Sequence, residues 1–552
     1  MGVLSSIKFN NGCDITVDKN EIIVFVGPNN VGKSQALKDI YSLCDDLEND
    51  SRIIDSLGFE KPSQEQLRLS FEKYCKTTNK GSHYEYRSYG FSGDSYILDY
   101  FHSTSALNRA RNHLVSFLST EERLQLANPP DSITREDAWT HPIHYPAFDG
   151  EYRKRLASYF RRAFGKSIVP NILNGRTIPL CIGEDIKTPD DSLTCQEVLE
   201  SYAEILDTYD QVQNQGDGIR SFVGITLNLM LKNYELFLLD EPESFLHPPQ
   251  ARIMGEIIGE LTQQEKQVAI STHSKDLIQG LIETCPDRIK IIRITREENY
   301  NAFSILDNSL VQSIWSDSLL RHSEIMNSMF HDSAVVCESD SDCKMYSIVF
   351  DYLKQAEGHF SRTQFIPCGG KSRVADVVQA LQSLGIDYRV VIDIDVLDNL
   401  PSLKKVVERC GGDYSQIESQ CNLVHGQVVN QRKKEITRES VQFVIDRVSE
   451  VLTKDDIRKI RDSISIDNPW TPLKRNGRSA IPSGDATRAF DLIDSYLKSI
   501  GIFIVPAGEL ESFITSVGNH GPKWVDNVLE IYPDLSDSAY SDITRFIKEW
   551  NL

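Results

Sequence analysis

A short stretch of the chain, residues 27–34, has the residue types and the spacing of a phosphate-binding loop. It reads Gly-Pro-Asn-Asn-Val-Gly-Lys-Ser and fits the pattern G-x-x-x-x-G-K-[ST] without substitution. In such a loop, backbone N–H groups turn toward phosphate oxygens, and the positive end of the next helix faces the same charge. Lys33 would reach the β- and γ-phosphates, and Ser34 would offer its hydroxyl to Mg²⁺. The residues assigned to nucleotide binding here are Asn29, Asn30, Gly32, Lys33, Ser34 and Gln35.

Two acids and a histidine at the ends of later apolar strands could complete this chemistry. The run 234–239 leads into Asp240 and Glu241, and the run 267–271 leads to His273. Asp240 could hold Mg²⁺ through water, and Glu241 could orient and deprotonate an attacking water. Two acids at the end of a buried strand need a cation or a solvated site, because burying them alone is costly. His273 is interpreted as a γ-phosphate sensor.

The order of these segments resembles an ABC-type ATPase head of the SMC and RecF kind. The resemblance extends over residues 1–310 and includes the polar turn 215–218, which precedes an apolar helix. It implies that two heads sandwich ATP, with this turn of one chain closing on the phosphate loop of the other. The turn reads Gln-Gly-Asp-Gly where transporters have Leu-Ser-Gly-Gly-Gln, and the glutamine of the γ-phosphate loop is left unassigned. The resemblance adds Gly216, Asp217 and Gly218 to the nucleotide contacts.

The second half of the chain carries another set of acids. The apolar strand 333–337 ends in Glu338, with Asp342 at the start of the next helix, and a later strand runs into Asp393 and Asp395. Strands that alternate with helices predict a parallel sheet, in which functional residues collect at the carboxyl ends of the strands. Asp393 and Asp395 would share a face while the strand stays extended. The alternative is that these two aspartates simply cap a loop.

Four neighbouring carboxylates predict a site for hard cations. They would repel one another unless Mg²⁺ or Mn²⁺ lay among them, and two such ions suit the hydrolysis of a phosphodiester. A last apolar strand, 501–505, precedes Glu509 and Glu511, which are either further ligands or the acidic start of a helix. Lys523 could neutralise a transition-state phosphate, although most single lysines are simply solvated.

These acids resemble the TOPRIM pattern, which has Glu-Gly on one strand and Asp-x-Asp on another. Ser339 stands where TOPRIM domains usually have glycine. An ABC head followed by TOPRIM resembles the OLD (overcoming-lysogenisation-defect) family, which includes the Gabija nuclease subunit and retron-associated effectors. The resemblance implies an anti-phage role, assembly through the ATPase heads and a catalytic role for Lys523. The metal ligands that it implies are Glu338, Asp342, Asp393, Asp395 and Glu511, with Glu509 as a competitor for the last role.

The predicted fold class is α/β, with an ABC-type ATPase head followed by a Rossmann-like parallel TOPRIM sheet. Residues 142–147 are expected to form a short strand that returns to the ATPase core. The predicted segments are the ATPase domain 1–310 with a helical, dimerising insertion at about 41–210, a connector 311–332, and the TOPRIM domain 333–552 with a helical insertion at about 397–500.

Length, composition and charge limit the number of domains and the cellular compartment that we expect for this protein. A chain of 552 residues suggests two to four domains. It has no apolar run long enough to span a membrane and no signal-peptide pattern, and its 11 scattered cysteines suit a reducing cytoplasm. The net charge of −21 argues against indiscriminate adhesion to nucleic acid. Local basic clusters, which are otherwise solvated surface charge, lie at 153–155 with 161–162, at 432–434 and at 474–478.

The leading hypothesis is an anti-phage DNA endonuclease or nickase that uses Mg²⁺ or Mn²⁺ and is regulated by ATP. Expected partners are DNA, a second copy of the chain, and a reverse transcriptase with its DNA or a helicase-like subunit. One alternative is an ATP-driven structural or sensor protein that binds nucleic acid without cutting it. Another is a TOPRIM topoisomerase or primase, although no nucleophilic tyrosine is convincingly placed.

Overall fold

The computed structural model divides the chain into two compact units, residues 1–318 and 319–552. The basic cluster 432–434 and part of the predicted connector lie outside the described residues. The structure describes residues 3–184, 194–263, 266–297, 300–306, 308–309, 311–312, 324–430, 437–448, 453, 456–457, 460, 468–518 and 520–552.

A mostly parallel six-stranded sheet forms the core of the described part of the first unit. Ile289–Glu297 and Gln267–Ser271 flank Ile22–Val26 in parallel, and the edge strand Tyr300–Leu306 is antiparallel to its neighbour. The sheet order is Tyr300–Leu306, Ile289–Glu297, Ile22–Val26, Gln267–Ser271, Leu236–Asp240 and Val115–Leu118. The central strands consist almost entirely of buried apolar residues, as parallel strands covered on both faces require. Parallel pairing brings the phosphate loop, Asp240 and His273 to one edge of the sheet.

Smaller sheets and helices surround this core. The small sheets contain Asp14–Thr16, Leu4–Phe9 and Ile54–Phe59; Lys76–Asn79, Tyr84–Ser88 and Phe91–Asp94; and Asp210–Gln211, Leu180–Gly183 and Ser167–Pro170. The α-helices are Lys33–Asp45, Gln64–Tyr74, Tyr96–Tyr100, Arg111–Leu114, Thr120–Gln125, His144–Phe148, Gly150–Phe164, Cys195–Asp207, Asp217–Leu229, Pro248–Leu261 and Lys275–Thr284. Short 3₁₀ turns occupy Asn108–Ala110, Val212–Asn214 and Pro286–Arg288.

Two expectations about the segment between the phosphate loop and residue 210 are wrong. The segment is not simply helical, because it contains strands, and one of them, Val115–Leu118, joins the core sheet beside Leu236–Asp240. Four residues between helical turns are too few to show a strand period. Residues 142–147 do not form a strand either. They enter the helix His144–Phe148, where Ala147 N–H donates to Ile143 O, so these two buried residues follow a helical spacing of four.

A four-stranded parallel sheet organises the second unit. Its order is Thr363–Pro367, Ser333–Cys337, Asp387–Ile392 and Ile502–Ile504, with all neighbours parallel. The α-helices are Ile325–Ser328, Asp340–Ala356, Val374–Ser383, Leu400–Arg409, Glu418–Val429, Arg438–Ile445, Thr471–Asn476, Asp485–Ser499, Pro522–Ile531 and Ser541–Lys548. Short 3₁₀ turns occupy Lys371–Arg373, Ile394–Asp398, Tyr414–Gln416, Gly477–Ala480, Leu510–Phe513 and Ser538–Tyr540. The two parallel cores confirm the predicted α/β fold class.

A buried histidine should make the first unit sensitive to acid. His113 is fully buried beside Phe71, with Nε2 2.8 Å from Ser70 Oγ, and burial lowers its pKa to about 3. Below pH 6.5 the unfolded imidazole binds a proton that the folded one refuses, so the free energy of unfolding falls as pH falls. From pH 6.5 to 4.5 we expect this group to remove about 2–3 kcal/mol.

The measurement is the apparent Tm of the full chain against pH, for the parent and for His113→Gln. The variant cannot be protonated at this site, so its Tm should fall less steeply over the same interval. Equal slopes would show that His113 does not carry the acid sensitivity.

Candidate nucleotide site and candidate metal centre

The phosphate loop has a backbone that requires glycine at two positions. Gly27 and Gly32 have φ values of 138° and 104°. A Cβ on Gly27 would lie 2.1 Å from Ile294 O, and a Cβ on Gly32 would lie 2.7 Å from Ile53 Cδ1. The loop thus lies against the strand Ile289–Glu297 at Gly27 and against the Ile53 side chain at Gly32, which is the N-cap of the helix Lys33–Asp45.

The side chain of the loop lysine folds back onto the backbone of the loop. Lys33 Nζ donates to Gly27 O at 2.9 Å and to Pro28 O at 2.7 Å. Burial lowers the pKa of Lys33 to about 8, although the nearby carboxylates of Asp240, Glu241 and Glu243 act in the opposite direction. An anionic phosphate inside the loop would restore the ordinary preference for the charged ammonium.

The other residues predicted to bind nucleotide in and just after this loop differ in exposure and in hydrogen bonding. Asn29 and Asn30 are exposed, and Asn30 has a left-handed φ of 65°. Ser34 is half-buried in the first turn of the helix. Gln35 donates instead to Asp39 Oδ1 at 2.7 Å, one turn further along the same helix. Its side chain therefore makes a bond within the helix.

The structure brings Glu241 and His273 into contact. His273 Nε2 lies 3.2 Å from Glu241 Oε1, and Ser244 Oγ donates to the other carboxylate oxygen at 3.2 Å. The hydrogen bond with His273 is the main cause that lowers the pKa of Glu241, so its carboxylate is ionised near neutrality. Glu241 has a left-handed φ of 47°, and Ser271 Oγ donates to Asp240 Oδ1. This arrangement suits a base held beside a polar sensor.

Two charged residues at this edge were missed by sequence reasoning. Arg123 is 1% exposed, and its Nη1 donates to Asp240 O at 2.6 Å. Glu243 Oε1 accepts from Thr272 Oγ1 at 2.7 Å and from His273 N–H at 2.8 Å, while burial raises the pKa of Glu243. Glu243 follows Glu241 closely enough to have been noticed. No spacing marks Arg123, which reaches Asp240 through the fold alone.

The predicted glycine turn lies at the start of the helix Asp217–Leu229. Gly216 and Asp217 are exposed, and Asp217 Oδ1 accepts from Arg220 Nη1 at 3.0 Å. Gly218 is packed more tightly, because a Cβ there would lie 2.6 Å from Phe245 O. The turn therefore rests on the segment that follows Glu241 and presents its first two residues to solvent.

In the second unit, three predicted acids gather at the carboxyl edge of the sheet. Ligand atoms of Glu338, Asp393 and Asp395 all lie within 4.8 Å of one another. Glu338 Oε1 accepts from Asp393 N–H at 3.0 Å. The expected reason for the pairing is wrong, because the strand ends at Ile392 and a 3₁₀ turn begins at Ile394. A tight turn, not an extended strand, brings the two aspartates together.

A second group of possible ligands contains Glu509, Glu511 and His520, whose ligand atoms also lie within 4.8 Å of one another. Glu511 Oε1 accepts from Gly521 N–H at 2.7 Å, and His520 was not predicted. Asp342 belongs to neither group, and its Oδ2 accepts from Ser339 N–H at 2.9 Å as part of the cap of its own helix. Its pKa is raised to about 6, chiefly by burial and then by Glu511 and Glu509.

The donors and their electrostatics fit a hard divalent cation. Burial raises the pKa of Glu338 and Asp393, and it also raises the pKa of Glu509. A divalent cation would offset both the desolvation and the mutual repulsion of these groups. The five carboxylates of the two groups are suitable oxygen ligands for Mg²⁺ or Mn²⁺.

Two lysines that were not assigned to the site neutralise part of this charge. Lys371 Nζ contacts Asp395 Oδ1. Lys474 Nζ lies 2.9 Å from Asp395 Oδ2 and 3.8 Å from Glu509 Oε2, so it connects the two acidic groups. Sequence reasoning had placed Lys474 in a surface basic cluster. Lys523, by contrast, is exposed in the first turn of the helix Pro522–Ile531.

The Lys474 ammonium neutralises carboxylates that would otherwise bind a metal ion. We therefore expect Lys474→Met to tighten Mn²⁺ binding by about 3- to 10-fold. Titration calorimetry of the full chain measures this directly and needs no catalysis. Lys404→Met removes a half-exposed lysine elsewhere in the same unit and should leave the affinity unchanged. Weaker Mn²⁺ binding by the Lys474 variant would mean that the lysine supports the metal site instead of competing with it.

Comparisons with known proteins agree with this arrangement. Residues 206–278 match the family model described as "AAA domain, putative AbiEii toxin, Type IV TA system". Residues 329–395 match the "Overcoming lysogenization defect protein-like, TOPRIM domain". These matches bear out the predicted resemblance to OLD-family proteins, which combine an ATPase with a TOPRIM domain. The second match ends at Asp395 and thus includes Glu338, Asp342 and both aspartates of the first group.

The known proteins to which this chain is similar are distant from it. The Old nuclease of Escherichia phage P2 is 24% identical over 174 residues, which is 31% of this chain and 29% of that protein. The match therefore spans less than a third of the relative's length. The Smc head bound to the C-winged helix domain of ScpA has a TM-score of 0.34 at 12% identity, covering 56% of this chain and 98% of that one. The SMC head from Thermotoga maritima has a TM-score of 0.29 at 10% identity, with coverage of 56% and 100%. Both scores are too low to establish a shared fold.

None of the helices within the described ranges combines the length and the apolar composition that a membrane crossing demands.

Proposed function

We propose that this chain is an OLD-family DNA endonuclease or nickase that needs Mg²⁺ or Mn²⁺, is regulated by ATP, and acts against phage in the cytoplasm. The observation that carries the proposal is the pair of ligand groups joined by Lys474 in the unit with the parallel TOPRIM sheet. The name of the phage P2 relative, a nuclease, supports the same activity.

In this proposal the two ligand groups would hold two divalent cations. Glu338, Asp393 and Asp395 would hold one, and Glu509 and Glu511, with Asp342 nearby, the other. When bound, such ions supply an activated water and charge stabilisation for the leaving oxygen of a phosphodiester. Lys371 and Lys474 would balance the carboxylate charge around the DNA phosphate. Lys523 is exposed and would reach that phosphate from outside the two groups.

For the ATPase we propose that Glu241 accepts the proton of the attacking water. Its low pKa keeps it ionised, and its contact with His273 fixes the carboxylate near the sensor position. Lys33 would bind phosphate, and Ser34 and Asp240 would hold Mg²⁺. The exposed Gly216 and Asp217 suit a contact with the phosphate loop of a second copy, so at least a dimer is proposed.

The test is cleavage of supercoiled plasmid by the full chain with Mg²⁺, Mn²⁺ or EDTA, each with and without ATP. We expect nicked or linear product that depends on the metal. DNA binding without cleavage under any metal would favour the structural or sensor alternative. Relaxed closed circles without nicks would favour a topoisomerase.

If the parent alone does not cleave the plasmid, the assay is repeated with the product of a neighbouring reverse transcriptase or helicase gene. This tests the proposed partners. Cleavage that appears with one of them would identify it. Continued silence with both, in every metal, would contradict the nuclease proposal.

A further inference from the structure

The first unit contains a cavity of about 560 Å³ away from the predicted nucleotide site. It lies among the helix Gln64–Tyr74, the strands Lys76–Asn79 and Tyr84–Ser88, residues 135–139, and the helix Gly150–Phe164. We call it the insertion cavity. Its size is that of a small-ligand site. Its described lining includes no residue of the phosphate loop, so it is a separate place on the molecule.

The insertion cavity is basic in a chain that is acidic overall. Five cationic side chains line it against two acids, Glu136 and Asp137, while the whole chain carries a net charge of −21. Such a local reversal of charge marks a place where anions are attracted. The five cations are Lys73, Lys76, Arg87, Arg135 and Lys232.

Most of these cations are not neutralised by acids. Within the part of the chain that the structure describes, Arg87 has a carboxylate partner, Glu85 at 3.4 Å, and the other four have none within 4.0 Å. Lys76 Nζ donates to Glu136 O at 2.5 Å, and Arg135 Nη2 donates to Phe148 O at 2.8 Å. Backbone carbonyls orient these two groups; Lys76 also interacts electrostatically with the lining acid Asp137 but makes no ion pair with it.

Aromatic rings line the same cavity. Trp139 is half-buried and is fixed by Tyr145, whose ring meets it edge-on at 5.0 Å, and by Phe148 at 6.0 Å. Tyr152 lies under Lys232, whose Nζ is 5.4 Å from the ring centre. Half-buried rings beside ammonium and guanidinium groups form the combination that recognises a nucleobase with an attached phosphate.

We infer that the insertion cavity binds a nucleotide unit, with the base against Trp139 and the phosphate among Lys73, Lys232 and Arg135. The unit is either a free mononucleotide or the end of a single nucleic-acid strand, because both present the same base and phosphate. This inference stands apart from the proposed nuclease activity, since it depends on neither the acids nor the metal.

The test uses the full chain carrying Lys33→Ala, which weakens binding at the phosphate loop, in EDTA so that no DNA is cut. Two probes are titrated by fluorescence: mant-labelled AMP, and a 5′-phosphorylated, 3′-fluorescein-labelled thymidine octamer. We expect at least one probe to bind. Lys232→Gln and Trp139→Leu should each weaken it at least about 10-fold, whereas Trp139→Tyr should retain most of the affinity.

Lys19→Gln is the matched control, because it removes a well-exposed lysine of the same unit outside the cavity. It should bind like the parent, and retained circular dichroism of each variant shows that the unit is folded. If Lys232→Gln and Trp139→Leu weaken the binding of mant-AMP, the ligand is a free nucleotide. If they weaken only the binding of the octamer, the ligand is the end of a strand. The inference is overturned if neither probe binds, if the cavity variants bind normally, or if Trp139→Leu binds normally while Lys232→Gln does not.

Discussion

Replacing Asp393 with asparagine is expected to lower the rate of DNA cleavage by at least about a thousand-fold. Asp393 contributes to the site in two ways. Its backbone N–H donates to Glu338, and its carboxylate belongs to the first ligand group. Asparagine keeps the shape and the backbone bond but removes the negative charge that a divalent cation needs. The measurement is the initial rate of plasmid nicking in saturating Mg²⁺ or Mn²⁺.

The control for this variant is Asp387→Asn. Asp387 begins the same strand at its opposite end and pairs with Arg389 on the surface, so its loss should leave cleavage unchanged. ATP hydrolysis by the Asp393 variant should also remain at the parental rate, which would separate a lost metal site from a misfolded chain. Parental cleavage by Asp393→Asn would remove the acidic groups from the mechanism.

The second large effect is expected from Glu241→Gln, which should lower the rate of ATP hydrolysis by about a hundred- to a thousand-fold. Glutamine can keep the hydrogen bond to Ser244, but it cannot accept the proton of the attacking water. ATP binding should remain, because Lys33 and the backbone of the loop are unchanged. The measurements are phosphate release for the rate and fluorescent-nucleotide titration for the affinity.

Glu283→Gln is a suitable control, since Glu283 pairs with Arg252 on helices away from the strand ends. It should hydrolyse ATP normally. A Glu241 variant that hydrolyses ATP at the parental rate would assign the base to another residue, and Glu243 would be the first to test. A variant that no longer binds ATP would show that Glu241 is needed to hold the fold of the site.

The parts of these sites that could be predicted are those encoded by local sequence. The phosphate loop is contiguous, and its backbone geometry follows from Gly27 and Gly32. The acids that follow apolar strands could also be predicted, because parallel pairing brings strand ends to one edge. Glu338 and Asp393 therefore meet although 55 positions separate them.

The parts that could not be predicted depend on approaches that leave no local pattern. Arg123 reaches Asp240 from 117 positions away, and Lys474 reaches Asp395 from an insertion that reads as solvated surface. The strand Val115–Leu118 was not predicted for a related reason. A segment of four residues gains its strand character from the neighbouring strand with which it pairs. In each case the tertiary partner, rather than the period of the sequence, determines the role.

The most direct measurement is an anomalous difference map at the manganese edge, from crystals of the full chain soaked in Mn²⁺. We expect one peak among Glu338, Asp393 and Asp395 and a second beside Glu509 and Glu511, with the first peak lost in Asp393→Asn. A map from well-ordered crystals with no manganese at either group would contradict the proposed metal-dependent nuclease activity.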